Sequence, residues 1–392
     1  MTGLDLTELE IVDGHCHPVR FSEVLGRDRE GLEARMTLPG ACWELGSEGA
    51  AEGPRSVWSW DDVVRSAGGA VVALALRRRL AEFLGCPAEK EALAVARDAA
   101  LRADPKGYFE RLLKEQRIVA LLVDDGTPGH ISHEAFERQT DAVVHRVHRI
   151  DAMIGRHLAG DFSEFLEGVM SEVEIAARDP RTVAFKSFIM YYSGGDIADP
   201  SELEAREAFG RWSAADLTPD PGLRKPIWDF VLRRVAEAAR REGKALHFHI
   251  GAEGHEGVIG RPFDFYPFIY SQAGLPLVLM HVGMPWIRET GYLAATFPHV
   301  NLDLSEITLW APGQIDEVLT TLLGWVSTTQ ILYGSDMCVE PEQAWLAAGF
   351  VRPALTRVLS AYIERDLLTE REAHRAAAAV LAGNTRRVHG LS

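Results

Sequence analysis

The chain has 392 residues, 47% of them hydrophobic and 25% charged, with a formal charge of −16. That composition supports a large buried core and excludes disordered, collagen-like and coiled-coil classes, while the acidic balance repels a phosphate backbone or an anionic membrane. No apolar run reaches the roughly 18 residues of a membrane span, the start MTGLDLTELE has no signal-peptide pattern, and Cys16, Cys42, Cys86 and Cys338 are scattered without CxxC spacing, so a cytoplasmic protein with reduced thiols is expected.

Short β-branched apolar runs alternate with helical periodicity along the chain. Strands are expected at Glu10–Gly14, Ile118–Val123, His145–Met153, Val183–Ile189, Ala245–Ile250, Leu277–His281, Val300–Ser305 and Gln330–Gly334. Helices are expected at Phe162–Ala177, Ile227–Arg241, Phe265–Ala273, Tyr292–Phe297 and Ile315–Val326. Two more, Glu342–Ser360 and Glu370–Ala382, follow the last strand. Eight such units predict an α/β fold, a parallel sheet closed into a (β/α)8 TIM barrel, with an open doubly wound sheet as the competing architecture. Residues 1–392 are expected to form one such domain.

One connection breaks the pattern. The stretch between His17 and Ile118 is far longer than an ordinary βα step and too long to be structureless. Its tracts Val71–Leu84 and Glu89–Leu101, with Trp43, Trp58 and Trp60, predict a helical insertion over 26–104. Leaving from the carboxyl end of the first strand, it is expected to roof the active-site face and to select an apolar substrate body.

Chemistry concentrates at strand ends. In Asp13-Gly-His15-Cys-His17 the alternate residues share one side of the strand, so both imidazoles can reach one metal, and Cys16 faces away. A second such pair, His247-Phe-His249, falls on the fifth strand, the sixth ends at His281, and Tyr333-Gly-Ser-Asp336 follows the eighth. Barrel enzymes build their sites at those carboxyl ends, and neutral imidazoles with a carboxylate suit zinc, iron or manganese. Lys186 stands in an apolar strand where a free ammonium is costly to bury; it pairs with a buried acid or carries a function. Arg149 closes a basic third strand and offers a cation to an acidic substrate group or to a salt bridge. Tyr191 and Tyr192 follow the fourth strand, and Glu253, His255, Trp286 and Glu306 lie just beyond strand ends, as substrate contacts or as plain loop residues. No GxSxG elbow and no Gly-rich phosphate loop is present.

Together these segments resemble the amidohydrolase superfamily, and within it the branch of metal-dependent hydrolases with FluG-type domains. The segments are Ile11-Val-Asp-Gly-His-Cys-His17, Ala184-Phe-Lys-Ser187, His247-Phe-His-Ile-Gly251 and His281-Val-Gly-Met-Pro285. Asn301-Leu-Asp-Leu-Ser305, Leu332-Tyr-Gly-Ser-Asp336 and the closing Leu381-Ala-Gly-Asn-Thr-Arg386 complete the set. The similarity runs from residue 10 to the end and omits 26–104. It implies His15, His17, His249 and Asp336 as the core metal set, with His281 as a ligand or catalytic group beside the metal. It also implies Lys186 either unmodified, holding a substrate carboxylate, or carbamylated, as a bridge between two cations. His249 is preferred over His247 because the family's ligand directly precedes the Ile-Gly pair; His247 is left as a core histidine supporting the site or as a substrate contact, and Arg149, Tyr191, Tyr192 and Trp286 are the other candidate substrate contacts. Where the family often has an arginine after the first tyrosine, this chain has Tyr192. One or two divalent cations per chain are implied, zinc first, with iron and manganese as alternatives.

The reaction this resemblance implies is hydrolysis of an amide, ester, lactone or thioester through metal-activated hydroxide, with Asp336 as the base and His281 assisting the oxyanion. Non-oxidative decarboxylation on the same barrel is the alternative, with isomerisation of the uronate type behind it. A metal-binding scaffold without turnover has no use for the Asp336 base. The expected partner is a small acyl substrate, with no nucleic acid and no membrane; a homo-oligomer is left open.

Overall fold

The computed structural model describes residues 4–27, 31–47, 58–126, 131–217, 220–253 and 258–392. His255 and stretches 28–30 and 48–57 of the insertion lie outside the described residues, as does the side chain of Glu253. Strands β1 (Ile11–Cys16), β2 (Ile118–Asp124), β3 (Val143–Arg149), β4 (Thr182–Ser187) and β5 (Ala245–Phe248) come first. A short antiparallel hairpin, β6 (Gly251–Glu253) and β7 (Val258–Gly260), precedes β8 (Leu277–Leu279), β9 (Val300–Asp303) and β10 (Ile331–Leu332). Eight strands pair in parallel in the order β1-β2-β3-β4-β5-β8-β9-β10. This is the expected (β/α)8 barrel, with helices around it.

Beyond β10 the chain completes the circle. The Gly14 amide donates to the Tyr333 carbonyl (2.9 Å), the Ser335 and Asp336 amides donate to the His15 carbonyl (3.2 and 3.0 Å), and the His17 amide donates to the Met337 carbonyl (2.6 Å). Closure of the barrel is therefore the same event that brings Asp336 beside His15 and His17.

Strand alternation sorts the interior into layers. Val12, Ala120, Leu122, Val147, Ala184, Ala245, Val278 and Leu332 fill the barrel with Val388 of the C-terminal helix Asn384–His389. Each fully buried aliphatic side chain contributes about 1.5–3 kcal/mol. Two residues further along their strands, Asp124, Arg149, Lys186 and His247 share that inward parity. Arg149 pairs in register with Lys186, and Lys186 with His247, so these three form one layer beneath the mouth.

Several strands end earlier than their apolar runs. The run His145–Met153 divides at Arg149, and Ile150–Arg156 is a helix. Asp151 in its first turn accepts from the Phe188 amide (2.6 Å), the Ser187 hydroxyl (3.3 Å) and Trp228 Nε1 (3.2 Å), which fixes the turn against β4. The expected helix Phe162–Ala177 extends to Arg178 and starts with a capping box between Asp161 and Glu164. The last expected helix, Glu370–Ala382, is helical to Ala378, continues as a π turn over Ala379–Gly383, and resumes at Asn384. The Asn384 side chain donates to the Thr328 and Ile331 carbonyls (2.7 Å each), tying that turn to β10.

The described residues of the insertion form the helices Leu32–Arg35, Leu38–Ser47, Trp60–Ala67, Val71–Leu84 and Lys90–Ala103, and the helix Pro105–Glu115 follows them. Trp43 and Trp60 pack on each other (4.7 Å between rings) around Ala34, Val63 and Ala67, whereas Trp58 is 58% exposed. Two of the three tryptophans thus hold the insertion's own small core together. The insertion also grips the segment after Asp336. Arg35 and Arg97 both pair with Glu340, and Glu342 takes Arg97 and the Tyr108 hydroxyl (2.6 Å each). Ala41 packs on Cys338 and Val339.

Candidate metal centre

At the carboxyl end of the barrel two buried groups of donors face each other. The first is His15, His17 and Asp336; the second is His249, His281 and Glu306, and within each the donor atoms lie within 4.8 Å of one another. In the first, Asp336 Oδ1 is 3.1 Å from His15 Nε2 and 3.5 Å from His17 Nε2. In the second, His281 Nε2 is 2.9 Å from His249 Nδ1, and Glu306 Oε1 is 3.9 Å from His281 Nδ1. The His15 and His281 rings stand 5.7 Å apart, so the groups adjoin.

Electrostatics gives His15, His281 and Asp336 the states a cation needs. Burial and the Lys186 charge push His15 down to about 3, so it is a neutral base at pH 7 despite the pull of Asp336. Burial and His249 likewise hold His281 well below the usual range. Burial alone would raise Asp336, but hydrogen bonds from His15 and His17 hold it well below the ordinary carboxylate value, so it is an anion. Converging imidazole nitrogens around an anionic carboxylate, all buried, fit a divalent cation.

Lys186 lies at the junction. It is fully buried, with Nζ 2.9 Å from His15 Nε2 and 3.0 Å from Asp124 Oδ2. Burial lowers its pKa against the opposing pull of Asp124. Asp124 in turn is pushed up by burial but held far down by Arg149 and Lys186.

The substrate-contact expectations fare differently. Tyr191 stays at the rim, its ring 5.9 Å from that of His249. His247, one layer below His249, is fully buried with Nε2 2.8 Å from His389 Nε2, the core alternative of the two expected for it. Arg149 takes the salt-bridge alternative: its guanidinium Nε lies 3.1 and 3.2 Å from the Asp124 carboxylate oxygens and the guanidinium covers the Phe188 ring at 3.8 Å. Tyr192 stacks on Trp228 (5.1 Å, 13°), toward the helix Pro221–Arg241 rather than the mouth. Trp286 lines a surface groove with Arg288, Glu289, Gln314 and Glu317 instead of meeting the histidines.

Two contributors were missed by sequence, and a third was named there without a metal role. Asp124 ends β2 as a lone acid, Phe188 stands 4.5 Å from the His249 ring, and Glu306, weighed as one loop acid among several, joins the second group. Only the Asp303-Leu-Ser305-Glu306 run next to a strand end could have pointed to Glu306.

A parallel barrel with two histidine–carboxylate groups at its carboxyl end defines a metal-dependent enzyme of the amidohydrolase type. The amidohydrolase family model matches residues 12–391, and the chain belongs to that family. It is 27% identical to protein FluG of Emericella nidulans over 335 residues, which cover 77% of this chain and 38% of that protein, so the chain spans about two-fifths of the relative's length. A candidate metal-dependent hydrolase from Lactobacillus casei superposes with a TM-score of 0.81 at 20% identity, over 98% of this chain and 96% of that one. A uronate isomerase from Thermotoga maritima gives 0.68 at 16% identity, over 98% and 95%. These two likenesses establish the shared fold.

Proposed function

We propose that the protein is a metal-dependent hydrolase that cleaves an amide, ester or thioester bond of a small acyl substrate. The observation that carries this reading is the buried Asp336 carboxylate, 3.1 Å from His15 and 3.5 Å from His17 at the mouth, beside the His249, His281 and Glu306 group. One cation is assigned to His15, His17 and Asp336 and a second to His249, His281 and Glu306, with Lys186, carbamylated, between them; zinc is the first choice, iron or manganese the alternatives. Divalent cations at such positions supply Lewis acidity and make water a stronger acid at neutral pH.

The side chains then divide the work. Asp336 accepts the proton of the attacking water and returns it to the leaving group. His281 is assigned as a ligand of the second cation, which would supply the positive charge that meets the developing substrate oxyanion. Phe188 and Tyr191 give the mouth an apolar flank beside His249, suited to an acyl chain. The insertion, anchored through Glu340 and Glu342, is assigned the roof, and cytoplasmic action on a soluble substrate fits the acidic charge.

The test is a panel of amides, esters, lactones, thioesters and carboxylic acids, run with the purified holoenzyme in ¹⁸O-water. Hydrolysis places one ¹⁸O in the released acid, and Asp336→Asn removes it. Release of CO2, or isomerisation of a sugar acid without ¹⁸O uptake, overturns the hydrolytic reading.

A further inference from the structure

Resting on the two-cation reading, we infer that Ser305, backed by Asp303, is the positioning residue that fixes the tautomer and orientation of His281 for the second cation. All three side chains are buried, none more than 2% exposed. His281 Nδ1 lies 2.9 Å from Ser305 Oγ, and its other nitrogen, Nε2, lies 2.9 Å from His249 Nδ1. The Ser305 hydroxyl donates to Asp303 Oδ1, and the Ser305 amide donates to the same oxygen at 3.0 Å.

A serine hydroxyl has one hydrogen. With that hydrogen directed to Asp303 Oδ1, Oγ can only accept from the imidazole, so the proton of neutral His281 sits on Nδ1. Its lone pair is then on Nε2, the nitrogen that faces His249. An imidazole that ligates through one nitrogen carries its proton on the other and needs an acceptor there when the site is dry. Ser305 is that acceptor.

The arrangement is built into the barrel. The turn after β9 folds Ser305 back onto Asp303, and Asp303 pairs in register with Leu332 of β10. Gly334, just beyond, leaves room for the carboxylate: a Cβ there would come within 2.3 Å of Asp303 Oδ2. The next residue, Glu306, has φ +64° and belongs to the cation group itself. One four-residue segment therefore supplies both the support behind His281 and the carboxylate beside it.

The experiment is zinc content by mass spectrometry after equilibrium dialysis against chelators of graded strength, for the wild type, Ser305→Ala, Ser305→Thr and Asp303→Asn. Melting of each metal-free protein is measured alongside. Ser305→Ala is expected to weaken the second zinc about 10–100-fold, to keep the first, and to melt like the metal-free wild type. Ser305→Thr, which keeps the hydroxyl, restores loading, and Asp303→Asn, nearly isosteric should Ser305→Ala not fold, shifts the second zinc in the same direction. Unchanged affinities in Ser305→Ala and Asp303→Asn, with two zincs on the wild type, overturn this inference alone. Equal loss of both zincs with a lowered metal-free melting point makes Ser305 a purely structural residue and also overturns it. A wild type that binds no zinc overturns the two-cation reading and this inference with it.

Discussion

His281, Glu306 and Asp336 share left-handed backbone, with φ of +58°, +64° and +56°, and Val282 joins them at +47°. For residues with a Cβ that conformation costs about 1–2 kcal/mol each, and it persists only where neighbours over-determine it. At Asp336 the neighbours are visible: its amide donates to the His15 carbonyl, and Gln343 Oε1 accepts from the amides of Cys338, Val339 and Glu340 (2.9, 2.9 and 3.0 Å). Strain is thus concentrated on three side chains assigned to the cations. For Asp336 the expected outcome is specific. Asp336→Asn keeps the fold but lowers kcat about 10²–10⁴-fold, because an amide cannot take the proton; steady-state kinetics with circular dichroism checks both halves. For Lys186, replacement by alanine should reduce the metal from two equivalents to one or fewer, with partial rescue of activity by a short-chain carboxylic acid. Full metal with only a raised KM would make Lys186 a substrate-binding cation. Most of this chemistry was legible residue by residue, since histidine pairs at period two and an acid after a terminal strand carry their own signal. Glu306 and Asp124 were not legible, because a single acid beyond a strand looks the same whether it binds a cation or caps a turn. For Arg149 the sequence offered a salt bridge without naming its acid, because Asp124 lies on another strand.

At the scale of elements, the alternation of apolar runs foretold all eight barrel strands but not where they stop. Strands at Leu277–Leu279 and Ile331–Leu332 are only three and two residues long, because the apolar run continues into bends that deliver His281 and Asp336. Hydrophobicity reports burial, and the bends are buried too. Away from the site, His148 on β3 joins Asp125, after β2, to Glu172 on the helix Phe162–Arg178, with 3.1 Å contacts from each ring nitrogen. Burial pushes its pKa down, but the hydrogen bonds of Asp125 and Glu172 win and raise it to about 9. The folded state therefore holds this proton more tightly than the unfolded one. The stabilisation is fully present below the unfolded value of 6.5 and is lost as pH rises through about 9. Urea unfolding from pH 6 to 10 should show a wild-type decline on the order of 3 kcal/mol over that window. In His148→Gln the decline should be much reduced; an identical decline would show that another group titrates there.

For the whole molecule, closure of the sheet, attachment of the insertion and assembly of the site are one structure rather than three. Backbone bonds from residues 333–337 to β1 shut the barrel and seat Asp336, while Arg35, Arg97 and Tyr108 hold Glu340 and Glu342 just beyond it. The insertion's existence and helical character followed from its length and periodicity. Its buried ion pairs did not, because they join residues more than 200 positions apart in sequence. The most direct measurement is anomalous diffraction at the zinc edge, from crystals of protein purified without chelator and supplied with zinc. Two peaks are predicted, one among His15, His17 and Asp336 and one among His249, His281 and Glu306; full zinc in solution with no peak at either position would contradict the assignment of this mouth as the metal centre.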